Sequence, residues 1–444
     1  MKPVRVGLLG LGTVGQGVAT ILQRNAAEIK RRTGRDILLV RAAVRNKPKA
    51  EALGLGIDIT TSPEDIVSDP QIDIVCEALG GDEPALTLLL GAIENGKHVI
   101  TANKALIAVH GNRLAQAAHD SGVALSFESS VAGGIPVIKA LREGLAANRI
   151  EWLAGIINGT GNFILSEMAE KGRTFEDVLA EAQALGYAEA DPAFDVEGTD
   201  AAHKLAIMAS MAFGMPFCFD AVYTEGISGI SRDDVGFAHE LGYRIKHLGV
   251  ARRRADGVEM RVHPTLIPEK RLLANVNGVM NAVLVKSDSV GPTLYYGPGA
   301  GSEPTGSSMV ADIVDIVRTV DADGACRVPT MAFQPDALVE EILLETQDFE
   351  SAFYLRLQAV DEPGVMASVT GIFGELGISI EAILQKEPEI PGDDPSRDSR
   401  EVPTVPIILL TRKVREGLIE KAVVQLERLS AITSSPTRIR VESL

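Results

Sequence analysis

The sequence predicts an α/β protein in three parts. A doubly wound parallel sheet comes first, an α+β domain follows, and a small ferredoxin-like module closes the chain. Three observations carry this. A β-branched apolar run leads into Gly10-Leu11-Gly12-Thr13-Val14-Gly15 and then into a helical segment. Short apolar runs then alternate with helical segments through about residue 134, as in a parallel sheet with crossover helices. From about Ala352 the order becomes strand, helix, strand, strand, helix, strand. The expected divisions are 1–130 for a nucleotide-binding domain with a returning helix at about 305–325, 131–304 for a second domain, 326–351 for a linker, and 352–444 for the terminal module.

The first strand is VRVGLL at 4–9, and the helical segment after the glycines is VATILQRNAAEIKRR. Strand, glycine turn and helix in that order form the dinucleotide-binding context of a Rossmann-like domain. Gly10 permits the tight turn, Gly12 lets the backbone approach a pyrophosphate, and Gly15 allows close helix–strand packing. The helix start at Thr13 and Val14 offers free N–H groups to the anion. The second strand, ILLVRAAV at 37–44, ends in Arg45-Asn46-Lys47. An NAD-binding domain usually carries an acid there for the ribose 2′-hydroxyl, whereas cations suit the 2′-phosphate of NADP. Arg45 and Lys47 therefore favour NADP(H), with NAD(H) as the alternative. Further strands are read within 72–81, 97–108 and 123–134. Ligands of such sheets sit at the carboxyl ends of the strands, so Gly80-Gly81, Asn103-Lys104 and Glu128 are expected to face one crevice.

In the second domain, 151–168, MRVHPTLIP and 281–301 read as strands, and SSMVADIVDIVRTV at 307–320 reads as an apolar-periodic helix. In the last part FYLRLQAV, ISIEAILQKE, VPIILLTRK and RIRVES read as strands, with DEPGVMASVTGIFGELG as a turn and helix and EGLIEKAVVQLERL as a second helix. The Pro-, Asp- and Ser-rich run EPEIPGDDPSRDSREVP reads as a loop.

Composition excludes several function classes. The chain has 444 residues, 43 basic against 60 acidic, for a net charge of −17. No basic block offsets this, so nonspecific nucleic-acid binding is not expected. Cys76, Cys218 and Cys326 lie far apart without CxxC spacing, which fits reduced thiols and excludes a cysteine-built zinc site. The N-terminal apolar run carries repeated glycines and no small-residue cleavage site, and no run of about eighteen apolar residues suggests a membrane span. The expectation is a cytoplasmic protein without a membrane partner.

The chemistry concentrates between Gly186 and Lys204, GYAEADPAFDVEGTDAAHK, which holds five acids and a terminal lysine. Gly198-Thr199 starts a helix, so Asp200 and Lys204 stand four apart on one face. That spacing also describes an ordinary surface ion pair. Lys104, at the carboxyl end of a sheet strand, supplies a second cation. Hydride reduction of a carbonyl leaves negative charge on oxygen, which a lysine with a lowered pKa can neutralise with a proton. Asp200 can orient Lys204, while Glu189 and Asp195 can bind a substrate ammonium. The seven histidines are scattered and build no rival nucleophilic or metal set.

These residues resemble homoserine dehydrogenases over nearly the whole chain. The signature from Ala182 to Lys204 is present without a gap, as are GLLGLGTVG, GKHVITANKALIA, FESSVAGGIPVI and INGTGNFIL. The resemblance implies NADPH-dependent reduction of L-aspartate 4-semialdehyde to L-homoserine. It makes Lys204 the proton donor and Lys104 a cofactor-contacting, charge-stabilising lysine. Glu189 and Asp200 would hold substrate with Asp195 in support, Glu189 also lying beside the cofactor with Gly186 and Gly301. It further implies a sodium site on Glu128, Val131, Gly133 and Ile135, and a homodimer or homotetramer formed through the second domain. One residue departs from the family pattern: Gly161 follows Asn158-Gly159-Thr160, where a larger side chain is usual, which leaves substrate-loop packing open.

Asp361-x-Pro363-Gly364 and GELGISI make the terminal module resemble an ACT domain, which implies an amino-acid effector, L-threonine in this setting. Fold order alone would also fit a ligand-free dimerisation domain. Two other functions stay open: a nucleotide-sensing binding protein that responds to amino acids without catalysis, and a dehydrogenase of another amino-acid aldehyde or hydroxy acid.

Overall fold

The computed structural model describes residues 2–320, 328–386 and 404–444. Cys326, the first residues of the expected linker and the run 387–403 lie outside the described residues. The amino-terminal sheet contains β1 (Val4–Leu9), β2 (Ile37–Ala43), β3 (Asp58–Thr60), β4 (Ile74–Glu77), β5 (His98–Thr101) and β6 (Leu125–Ser126). All pair in parallel, in the order β3-β2-β1-β4-β5-β6. The order reverses at β1, which opens the ligand crevice between β1 and β4. On one face Val6, Leu8, Ile74 and Ile100 pack against Met309, Ile313 and Val317 of the returning helix Ser302–Thr319. On the other, Leu9, Val75 and Val99 pack against Leu86, Leu89, Leu106 and Ile107.

The returning helix begins five residues before the apolar period does, because Gly301 caps it and Pro304 sits in its first turn. It crosses the helix Thr13–Arg24 at backbone contact: a Cβ on Gly17 would meet the Ser302 carbonyl oxygen at 2.0 Å. The segment read as one helix over 18–32 is two helices, Thr13–Arg24 and Ala26–Thr33, broken at Asn25.

The second sheet begins with β7 (Ile150–Ile156), β8 (Tyr223–Thr224), β9 (Tyr243–Arg253), β10 (Val258–Pro268), β11 (Met280–Ser287) and β12 (Gly291–Pro298). Only the first part of 151–168 is strand. Residues Gly159–Lys171 form a helix, with the Asn158 side chain accepting from the Gly161 N–H at 2.7 Å. Phe163, Ile164, Leu165 and Met168 are buried nearly all round, and such an apolar run carries no period that separates helix from strand.

The terminal module contains β13 (Glu350–Val360), β14 (Ile380–Gln385), β15 (Thr404–Thr411), β16 (Val414–Arg415) and β17 (Thr437–Val441), with helices Val365–Glu375 and Glu416–Glu427. The order β17-β13-β15-β14 is antiparallel throughout, as the ferredoxin-like pattern predicts. The module is not a separate bead. β17 pairs in parallel with β10 at Thr265↔Arg440 and Leu266↔Val441, so the two domains share one continuous sheet. A strand edge that would otherwise be exposed is paired instead.

Candidate active site

Gly10 has φ +98°, and a Cβ there would meet the Ala78 carbonyl oxygen at 2.6 Å; one on Gly15 would meet the Gly10 carbonyl oxygen at 2.2 Å. Gly12 has open space where its side chain would be. It caps the helix starting at Thr13 with no side-chain hydrogen bond and no acid in the first turn, leaving the free N–H groups of Thr13, Val14 and Gly15 available to an anion. The Ser302 hydroxyl donates to the Thr13 carbonyl at 2.7 Å, which brings Gly301, the start of the returning helix, beside this turn. These glycines fit a dinucleotide pyrophosphate. Arg45 and Lys47 are exposed at the end of β2, Lys47 loosely paired with Glu51 at 3.8 Å.

Across the crevice the site draws its groups from three places: the helix that ends the acidic stretch, the helix after β5, and the end of β7. Asp200 and Lys204 stand in the helix Thr199–Phe213, capped by left-handed Gly198. Lys104 is the first residue of the helix Lys104–Asp120, capped by Asn103. The helix dipole disfavours a cation at that end, so the nearby carboxylate has to compensate. Asp200 does this from both oxygens: Lys104 Nζ lies 3.1 Å from Oδ1 and Lys204 Nζ 2.7 Å from Oδ2. Lys204 also donates to the Ile157 carbonyl at 2.7 Å. Asn158 Nδ2 donates to Asp195 at 2.7 Å and to Asp200 at 2.8 Å, tying both acids to the end of β7.

The electrostatics follow from burial and these partners. Burial pushes the Asp200 carboxyl up, but the Lys204 and Lys104 ammonium groups outweigh it and hold the group down at about 2. Burial lowers the Lys204 pKa; Asp200 opposes that and Lys104 adds to it. Burial raises Asp195. Asp200 is thus a fixed negative charge, Lys204 an ammonium that releases its proton more readily than a free lysine, and Asp195 a weaker acid at the edge of the pair.

Glu189 is exposed on the same stretch, with its carboxylate in no ion pair with either lysine; its backbone carbonyl accepts from Gln183 at 3.1 Å. Gly186 has φ +75° and open space. The sequence reading missed Asn158, although an Asn before Gly-Thr at a strand end signals a cap. It also missed Phe194, whose ring lies 5.4 Å from Lys104 Nζ, and His203, stacked on Phe219 at 4.1 Å between ring centroids.

Gly80-Gly81 and Asn103-Lys104 do meet, Asn103 Nδ2 donating to the Gly81 carbonyl at 2.6 Å. Glu128 does not join them. It is buried, accepting from the Ile138 N–H at 3.0 Å and the Lys139 N–H at 2.7 Å, while its own N–H donates to Asp312 at 2.9 Å. The expectation of one shared crevice fails because the chain turns inward after β6. Burial, then Asp312, pushes Glu128 up to about 7, and burial raises Asp312 to about 6. Ala132 and Gly133 follow with left-handed φ of 54° and 47°. Among the described residues no group of three or more His, Cys, Asp or Glu side chains is placed to hold a metal ion, so a cation here would depend on backbone carbonyls around Glu128. No described helix is long and apolar enough to cross a membrane.

A pyrophosphate-ready glycine turn facing two lysines on one buried carboxylate defines a class, the nicotinamide-nucleotide oxidoreductases that act on a CH–OH group. Comparison with known proteins makes this particular. Residues 10–128 match the homoserine dehydrogenase NAD-binding domain, 136–314 match homoserine dehydrogenase, and 353–420 match the ACT domain. The chain is 60% identical to a homoserine dehydrogenase of Pseudomonas aeruginosa over 100% of both chains. It superposes on a homoserine dehydrogenase from Thiobacillus denitrificans with a TM-score of 0.94, at 59% identity over 100% of this chain and 99% of the other. A hyperthermophilic archaeal homoserine dehydrogenase in complex with NADPH is 26% identical, with a TM-score of 0.61, and covers 71% of this chain and 97% of its own. The chain belongs to the homoserine dehydrogenase family and carries a C-terminal ACT domain.

Proposed function

We propose that this enzyme reduces L-aspartate 4-semialdehyde to L-homoserine with NADPH, within threonine, methionine and isoleucine biosynthesis, with Lys204 as proton donor. The observation that carries this is the single buried Asp200 carboxylate shared by Lys104 and Lys204. A bound nicotinamide would supply hydride to the aldehyde carbon. Lys204, with its lowered pKa, gives its proton to the carbonyl oxygen and retakes one in the reverse direction. Lys104 stabilises negative charge on that oxygen and reaches the cofactor. Asp200, Asp195 and Glu189 attract the substrate ammonium, the first two held by Asn158.

Gly10, Gly12, Thr13, Val14, Gly15, Gly186, Glu189 and Gly301 would line the cofactor, with Arg45 and Lys47 toward a 2′-phosphate. The NADPH complex of the archaeal relative supports that choice. A sodium ion would sit on Glu128 and the carbonyls of Val131, Gly133 and Ile135. Two buried acids with raised pKa values and a left-handed turn beside them support a cation there. L-threonine would act through residues 352–444. The half-exposed edge strand β12, with Tyr296 58% exposed, supports a homodimer or homotetramer.

The test is an NADPH-oxidation assay with the semialdehyde, repeated with NADH and with L-threonine. No turnover on the semialdehyde would overturn the assignment. Thermal melts with sodium or potassium chloride, for the unmutated chain and E128Q, read the cation site without activity. Identical melts in both salts would remove it.

A further inference from the structure

The helix that carries Asp200 and Lys204 does not rest on its own domain alone. Its cap, Gly198, lies against Thr224, His247 and Val262; a Cβ there would meet Thr224 Cγ2 at 2.9 Å and His247 Cε1 at 3.1 Å. Glu197 closes on Gly226 just as tightly. The Ile227 N–H donates to the Val196 carbonyl at 2.9 Å. Residues 224–227 are therefore the floor under 196–198, the stretch between Asp195 and Asp200.

That floor is held from the ACT domain. Arg440 of β17, 1% exposed, donates to Glu225 Oε2 at 2.6 Å. The Arg440 guanidinium lies 4.8 Å over the Tyr223 ring, and the Tyr223 hydroxyl donates to the same Glu225 oxygen at 2.9 Å. The Arg440 fork also grips Glu416, the fully buried first residue of the helix Glu416–Glu427. His247 Nε2 lies 2.9 Å from the Glu225 carbonyl oxygen, so Glu225 is fixed at backbone and side chain together. A planar fork that joins the fully buried Glu416 to the part-exposed Glu225 specifies geometry more than it adds stability.

We propose that Arg440 and Glu225 are positioning residues for the catalytic helix. The ACT domain, through Arg440, sets where Asp195, Asp200 and Lys204 stand relative to the substrate. This rests on the lysine site proposed above and extends it to a residue in another domain. A second ion pair from the ACT domain, to the fully buried Asp234, provides a control. Asp234 binds Arg356 of β13 at 2.6 Å and the Tyr354 hydroxyl at 3.1 Å, but it stands in the helix Arg232–Glu240 and hydrogen-bonds to none of residues 195–204.

The experiment compares E225Q, R440K and D234N in the full-length enzyme. Each is followed by thermal melting, by homoserine and NADP+ kinetics, and by hydrogen exchange of the amides of 195–205. E225Q should raise the homoserine KM or lower kcat/KM by about 10- to 100-fold, the scale of a misplacement near 1 Å. The NADP+ KM should hold within about twofold, and exchange in 195–205 should quicken. R440K, which keeps the charge but loses the fork, should fall between E225Q and the unmutated chain. D234N should lower the melting temperature without either kinetic or exchange change. Unchanged exchange and homoserine kinetics in E225Q, or an equal shift in D234N, would overturn the proposal. Exchange reads the positioning without turnover, so a failure of the substrate assignment would show separately.

Discussion

Replacing Lys204 with Met tests the centre of the mechanism, because Met fills the space of the lysine stem and removes only the ammonium. Three things are lost: the ion pair to Asp200 at 2.7 Å, the hydrogen bond to the Ile157 carbonyl at 2.7 Å, and the proposed proton source. Asp200 keeps Lys104 and Asn158, so its buried charge is not orphaned. The stability cost should therefore fall below the ~3–5 kcal/mol of a fully broken buried pair. A positioned general acid contributes about 10²- to 10⁴-fold, which is about 3–5 kcal/mol of barrier. Steady-state assays in both directions should show kcat reduced by that factor. NADPH titrated by fluorescence should bind as in the unmutated chain, since the glycine turn is untouched. Small primary amines added to K204A should restore part of the turnover. A folded K204M that keeps kcat within about fivefold would refute the proton-donor role.

Further predictions can be checked individually. With Lys204 as the proposed proton donor, homoserine oxidation needs it deprotonated and aldehyde reduction needs it protonated, so kcat/KM should rise with pH in one direction and fall in the other. The apparent pKa should lie below the ordinary lysine value of 10.5. Asp200 has its folded pKa depressed from 3.8 to about 2, so its stabilisation is present above the unfolded value and is lost as pH falls through the folded one. Urea unfolding of the unmutated chain and D200N should show their stability difference shrinking by on the order of 2 kcal/mol as pH falls from 5 toward 2. R45D should weaken NADPH about tenfold and NADH much less, read by cofactor KM. Truncation after about residue 345 should do more than abolish any threonine response. It strips Ser351 and Glu442 from fully buried Arg261 and unpairs β10, so the melting temperature should drop even without effector.

Local sequence determined much of this protein. The glycine turn was legible because Gly10 and Gly15 each answer a backbone constraint that no other residue meets as cheaply, while Gly12 leaves open space at the helix start. The start of the Lys204 helix at Gly198-Thr199 and the ferredoxin-like order were legible from period and breakers. The helix Gly159–Lys171 was not, because burial on every side erases the period. Glu128 stood at a strand end but turned inward, its carboxylate held by the Ile138 and Lys139 N–H groups and its backbone N–H by Asp312 on a helix distant in sequence.

Asp200 and Lys204 could be read as a pair from their spacing alone. Spacing does not say whether such a pair is solvated and weak or dry and poised. That was decided by Lys104 on another helix, Asn158 at the end of β7, and the burial they share. The sequence also described the ACT domain as a self-contained unit. Only the pairing of β17 with β10 placed Arg440 under the catalytic helix, because ion pairs across distant segments depend on how strands meet, which no local pattern encodes.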